Sequence, residues 1–196
     1  ETTVVEDFGG DNPPRVIADY SAQELIKADQ LKAIGYRYLS ATDKWVSLDT
    51  ASDYIYLGNQ GLHMELPAGL KAIVDAPQWN SNRFVPNCFP LFTLRDFKLN
   101  KFRHQKLNFL EISTSTIDEL PKLDETVVLV LRSDMEHPLP SYRQFVLWME
   151  QQKIKEPVVL AQKYSGMEAE SFQLHAATDM GGILIDGLAN GVMIRY

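Results

Sequence analysis

The chain has 196 residues, 45% of them hydrophobic, a length within the range of one domain and enough apolar material to bury a core. With 19 Lys and Arg against 26 Asp and Glu, its net charge of -7 argues against nucleic acid or an anionic membrane as partner, since both rely on clustered cations. The one cysteine, Cys88, cannot close an internal disulfide and has no second thiol at metal-site spacing. The expected setting is reducing and cytoplasmic, with Cys88 a buried small hydrophobe.

Apolar runs such as 127–131 and 183–185 fall far short of the roughly 20 residues of a membrane span. The opening Glu1-Thr2-Thr3 lacks a basic n-region and an apolar h-region, so it reads as a start without a secretory signal, trimmed from something longer. Residues 1–14, with Gly9-Gly10-Asp11-Asn12-Pro13-Pro14, read as a linker or lead-in arm. The folded domain is expected over 15–188, with 189–196 as an exit segment.

From Arg15 onward, β-rich runs alternate with stretches of helical period, the pattern of βα units around a parallel sheet. The expected strands are 15–18, 36–39, 54–57, 89–93, 107–112, 127–131, 158–162 and 183–186. Ser21-Ala22-Gln23-Glu24 has capping-box form and opens a stripe of Leu25, Ala28, Leu31 and Ile34, which Gly35 ends as a left-handed cap. Ser141-Tyr142-Arg143-Gln144 opens a second, with Phe145, Trp148, Met149 and Gln152. A short helix is expected around 117–123, interrupted by Pro121, and another from about 168 to 179. Residues 40–53 and 75–88 read as loops. Eight such strands predict an α/β fold, a compact (β/α)8 TIM-barrel-like domain with one or two helices replaced by loops, because a full barrel takes about 250 residues. An open parallel α/β sheet is the alternative.

Ligands of such folds meet the carboxyl ends of the strands, which makes Asp19, Ser40, Glu111, Ser113, Arg132, Tyr164 and Asp186 the polar residues to weigh. Asp19, Glu111 and Asp186 with Arg132 could bind a polar ligand or share a proton, or could simply be turn makers and ion-pair partners. The basic stretch Arg95, Lys98, Lys101, Arg103 and Lys106 alternates with Phe97, Leu99 and Phe102. It reads as a solvated face, with an anion-binding surface as the sharper alternative. His63, His104, His137 and His175 lack metal-ligand spacing, and there is no phosphate-binding glycine loop or nucleophile elbow. Cys88 has no base beside it in sequence.

Four stretches carry a resemblance: Pro13-Pro14-Arg15-Val16-Ile17-Ala18-Asp19-Tyr20-Ser21, Leu107-Asn108-Phe109-Leu110-Glu111-Ile112-Ser113, residues 126–133, and Ala177-Thr178-Asp179-Met180-Gly181-Gly182-Ile183-Leu184-Ile185-Asp186-Gly187-Leu188. In this order they resemble the insert, or middle domain, of the long three-domain form of 4-hydroxy-3-methylbut-2-enyl diphosphate synthase. Family members usually continue with Gly, an acid and Gly, where this chain has Ala189-Asn190-Gly191. Gly181-Gly182 is expected to turn helix into strand and Asp186-Gly187 to turn out of it.

The resemblance implies a parent iron-sulfur oxidoreductase of isoprenoid synthesis that opens methylerythritol cyclodiphosphate reductively, using a [4Fe-4S] cluster held in another domain. It implies flanking partners in the same chain, a catalytic barrel and the iron-sulfur domain, with ferredoxin or flavodoxin as electron donor. No catalytic, cofactor-binding or metal-binding residue carries over to this segment, which is expected to be inactive alone. A structural spacer is the leading reading. A regulatory ligand site or redox-partner docking site at Asp19, Glu111, Arg132 and Asp186 is a second, and a free-standing small barrel enzyme a third.

Overall fold

A computed structural model describes residues 2–100 and 102–196; Lys101 of the basic stretch lies outside the described residues. In chain order, β1 (Arg15–Asp19) leads through a 3-10 helix (Ala28–Ile34) to a hairpin of β2 (Tyr36–Leu39) and β3 (Lys44–Ser47). Then come β4 (Tyr54–Tyr56), β5 (Lys71–Asp75), α1 (Ala76–Asn82), β6 (Cys88–Phe92), α2 (Leu94–Leu99) and β7 (Asn108–Ser113). A 3-10 turn (Ile117–Glu119) precedes β8 (Val127–Arg132), α3 (Leu139–Gln152) and β9 (Val158–Lys163). A final helix runs as α4 (Ala169–Ala176), a π-helical turn (Ala177–Gly181) and α5 (Gly182–Ile185) before β10 (Gly191–Arg195).

Eight parallel strands close into a barrel in the order β1-β10-β9-β8-β7-β6-β5-β4, with β4 pairing back to β1. Three apolar layers follow from the alternation of side chains along each strand. Ile17, Tyr54, Ile73, Phe89, Phe109, Val128, Val159 and Met193 point inward and fill the interior. On one side Leu110, Leu129, Leu131 and Leu160 point outward against Tyr142, Phe145 and Met149 of α3 and against Met180 and Ile183. Elsewhere Ile55, Ala72, Val74 and Cys88 face Leu31, Tyr36 and Trp79. This double covering explains why Val127-Val128-Leu129-Val130-Leu131 is apolar throughout. Among the described residues the crossover from β4 to β5 carries no helix, that from β7 to β8 a 3-10 turn only, and that from β1 to β4 a 3-10 helix and the β2–β3 hairpin.

Two of the eight expected strands are placed differently. Tyr36–Leu39 belongs to the outlying antiparallel hairpin, and 183–186 is helical. Their places in the barrel are taken by β5 and β10, so segment 189–196 contains the closing strand. Gly181 and Gly182 lie inside the final helix with right-handed backbone. Helical spacing buries Met180 and Ile183 and leaves Ile185 87% exposed, which a fully buried strand would not do. Gly187, at φ +68°, ends the helix: its N–H donates to Leu184 and the Leu188 N–H to Ile183, a Schellman-type cap.

The helix starts also differ. Ser21 bonds Asp19, and the turn after it tightens into the 3-10 helix only at Ala28, ended by Gly35 at φ +93°. α3 begins before Ser141, whose Oγ donates to the Pro138 carbonyl. Residues 76–82 form a helix with Pro77 in its first turn, a position where the missing N–H costs nothing.

The N-terminal residues pack into the floor, the amino end of the strands. Phe8 is fully buried against Tyr54 and Phe109. Asp7 accepts from the Tyr54 hydroxyl at 2.6 Å and pairs with Lys71 at 2.8 Å.

Candidate functional site at the barrel mouth

The inward rows end at the carboxyl end of the barrel in a ring of polar side chains. Asp19 ends the row of Ile17, Tyr56 follows Tyr54, Asp75 follows Ile73 and Glu111 follows Phe109. Arg132 follows Val130, Lys163 follows Ala161 and Arg195 follows Met193. The ring is thus sorted by strand, with acids on β1, β5 and β7 and cations on the three neighbours β8, β9 and β10.

Two ion pairs join acids to cations on adjacent strands. Arg132 Nε donates to Glu111 Oε2 at 2.6 Å, and Arg195 Nη2 to Asp19 Oδ1 at 3.0 Å. Asp19 is almost completely enclosed, with its side chain 1% exposed, and Oδ1 also accepts from the Ser21 N–H and hydroxyl. Its Oδ2 and the Nε of Arg195 are buried without a hydrogen-bond partner. Tyr56 donates to Asp75 Oδ1 at 2.6 Å. Burial pushes the Asp75 carboxyl above its ordinary value; the Tyr56 bond opposes that shift, and Glu111, Asp19 and Asp96 add to it.

The mouth holds two cavities. One of about 510 Å³ is lined by Tyr56, Asn59, Asp75, Leu91, Thr93 and Glu111. The other, of about 360 Å³, is lined by Arg132, Ser133, Asp134, Glu136, Ala161 and Lys163.

Of the residues singled out from sequence, Asp19, Glu111 and Arg132 meet at this mouth. Asp186 does not, because its segment is helical: it lies at the end of α5 in the outer layer and pairs with Arg143 of α3 at 3.0 Å. Ser40 follows β2 in the exposed hairpin, Ser113 Oγ bonds Asp134, and the buried Tyr164 hydroxyl donates to Asp179. Sequence reading missed Asp75, Lys163 and Arg195. The signal for them was present, as a charge two residues beyond an inward apolar residue; for Asp75 and Arg195 using it required β5 and β10, while Lys163 directly follows the expected strand 158–162.

The basic stretch is a salted surface. Lys98 pairs with Glu119, Lys106 with Glu6, and Arg103 with Asp124 while its guanidinium lies 3.6 Å from the centre of the Phe97 ring. His175 is a half-buried residue of α4. His104 accepts backbone N–H bonds from Lys106 and Leu107.

The fold and site define a closed parallel eight-stranded barrel domain with a mouth of paired charges. No family model matches the chain. It is 29% identical, over 98% of its length, to a 4-hydroxy-3-methylbut-2-en-1-yl diphosphate synthase (flavodoxin) of Parabacteroides distasonis. It is 27% identical over 99% of its length to the enzymes of the same name from Phocaeicola vulgatus and Bacteroides thetaiotaomicron. The chain spans only 28%, 29% and 28% of those three proteins. It is therefore related, along almost its whole length, to one segment of the 4-hydroxy-3-methylbut-2-enyl diphosphate synthase family.

That family resemblance implies a [4Fe-4S] cluster in the parent, and the residues of this chain do not fit one. A cluster takes Cys thiolates, commonly four. Cys88, the single cysteine, is buried in the barrel wall, and burial pushes its thiol up to about 11, far from the thiolate a metal needs. Among the described residues no group of three or more His, Cys, Asp or Glu is placed to hold a metal ion. No helix of the described residues is long and apolar enough to cross a membrane.

Proposed function

We propose that this chain is the spacer barrel of a 4-hydroxy-3-methylbut-2-enyl diphosphate synthase, holding a catalytic barrel and an iron-sulfur domain of the same protein at a working separation. The parent would carry out the two-electron reductive opening of methylerythritol cyclodiphosphate in the cytoplasm, with its cluster in another domain. Its electrons would come from flavodoxin, the donor in the relatives' names, or from ferredoxin.

One observation carries the reading: the chain arrives at one end of the barrel and leaves at the other. Residues 2–8 are fastened to the floor, through Thr3 N–H to Lys155 and Phe8 in the interior. β10 runs to the mouth, where the Tyr196 ring stacks on Phe172 with centroids 4.3 Å apart. A closed barrel between two attachment points is a rigid strut, and positioning matters because a shift of about 1 Å between reacting groups can cost about 100-fold in rate. The polar residues at the mouth support the same reading, since Asp19 and Glu111 are already paired with arginines.

The test is steady-state turnover of the full-length synthase at matched cluster occupancy. Single replacements of Asp19, Glu111, Arg132 or Asp186 by neutral residues should leave turnover within a few-fold, while deletion of the whole segment should be far more damaging. Loss of turnover in a folded, cluster-loaded Arg132→Gln enzyme would replace the spacer reading with a ligand-site one.

A further inference from the structure

Asp75 and Lys163 stand on opposite sides of the barrel mouth. In the closed ring of eight strands, β5 and β9 are four strands apart in either direction. Both residues face inward, two positions beyond Ile73 and Ala161 of the interior layer. The ion pairs Asp19–Arg195 and Glu111–Arg132 flank the line between them on either side. Asp75 is bonded by the neutral Tyr56 hydroxyl, and neither Asp75 nor Lys163 has an ion-pair partner among the described residues.

Opposite charges that face each other across an axis without meeting fit a molecule with a charge at each end. The two cavities lie at those ends, about 510 Å³ at Asp75 and about 360 Å³ at Lys163. Beneath them Leu91, Ala161 and Met193 form an apolar bed on which a short methylene chain can rest. We propose that the barrel mouth binds a small zwitterion of the ω-amino-carboxylate class, its ammonium on Asp75 and its carboxylate on Lys163.

Simpler ions are disfavoured by the same ring. A plain anion at Lys163 gains nothing from the acidic cavity, and a plain cation at Asp75 gains nothing from the three neighbouring cations. An ammonium would also relieve the crowding of Asp75 by Glu111, Asp19 and Asp96. The buried and unpartnered Asp19 Oδ2 is a further acceptor beside the axis.

Isothermal titration of the chain with glycine, β-alanine, γ-aminobutyrate and 6-aminohexanoate tests the proposal, against butylamine and butyrate at fixed ionic strength. One member of the series should bind at least tenfold more tightly than either singly charged compound. Asp75→Asn, which keeps an acceptor for Tyr56, and the exposed Lys163→Gln should each bring it down to the singly charged level, with thermal unfolding confirming that both variants fold. A series that binds no better than butylamine and butyrate overturns the proposal, as does tight binding that Lys163→Gln leaves unchanged. Binding by the chain is read separately from turnover of the synthase, so either reading can fail without the other.

Discussion

Phe8 and Phe109 meet edge to face inside the barrel, with ring centroids 5.6 Å apart and planes at 85°. One belongs to the N-terminal arm and the other to β7, so the arm is part of the interior packing. Removing a fully buried phenylalanine loses its transfer free energy and leaves a cavity. Phe8→Ala should therefore destabilise the chain by about 3 to 5 kcal/mol in urea unfolding. A change under about 1 kcal/mol would mean that the arm rests loosely against the floor, and the strut would lose its anchor.

Leu129 occupies the outward row of β8 and is completely buried beneath α3. Leu129→Ala is expected to cost about 2 to 5 kcal/mol, read from the same unfolding curves. A loss below about 0.5 kcal/mol would place β8 at the periphery.

Asp7 gives the floor a dependence on acid. Burial raises its carboxyl, but hydrogen bonds from Lys71 and Tyr54, with the charges of Lys71 and Arg15, outweigh that and hold it below the ordinary value of 3.8. A carboxylate depressed in the folded state contributes stability that is fully present above its unfolded value and is lost as pH falls through the lower folded value. Stability measured downward from about pH 5 should fall through this window more steeply in the native chain than in Asp7→Asn. Parallel curves for the two would remove Asp7 from the account.

The Arg143–Asp186 pair is half exposed on both sides, and such pairs contribute about 0 to 1 kcal/mol. Asp186→Asn should therefore shift the unfolding midpoint little, and less still in high salt. A large loss would show that Asp186 serves the helix end in some way beyond its pairing.

Anaerobic reconstitution of the chain with iron and sulfide should leave no stoichiometric cluster bound, because one buried cysteine cannot supply the ligand set. Iron and sulfide analysis of the monomer reads this directly, and retained cluster would refute it.

Much of the barrel was legible in the chain. Runs such as 127–131 and 158–161 are apolar on both faces, and only a strand covered inside and out asks for that. β5 and β10 were not read as strands, although β5, bounded by Lys71 and Asp75, has the same form as β1, bounded by Arg15 and Asp19. These residues sit at floor and mouth, where an inward side chain reaches the end of the core. The run 183–186 misled in the opposite direction. Ile183-Leu184-Ile185 suits a buried strand locally, and two glycines cost a helix about 1 kcal/mol each. Packing of Met180 and Ile183 under α3 outweighs that cost.

The sequence by itself determined the class of fold, the covered central strands, the left-handed turn at Gly35, and a cysteine content too low for a cluster. These follow from composition, periodicity and local backbone preference, all of which act within a few residues. Tertiary structure alone decided which eight segments close the barrel, that the N-terminal arm enters its floor, and which charges share its mouth. Asp75 and Lys163 are 88 positions apart in the chain, and they face each other only because eight strands close into a ring. Closure is a property of the whole sheet, set by register and by the area buried on both faces, and no local window contains it.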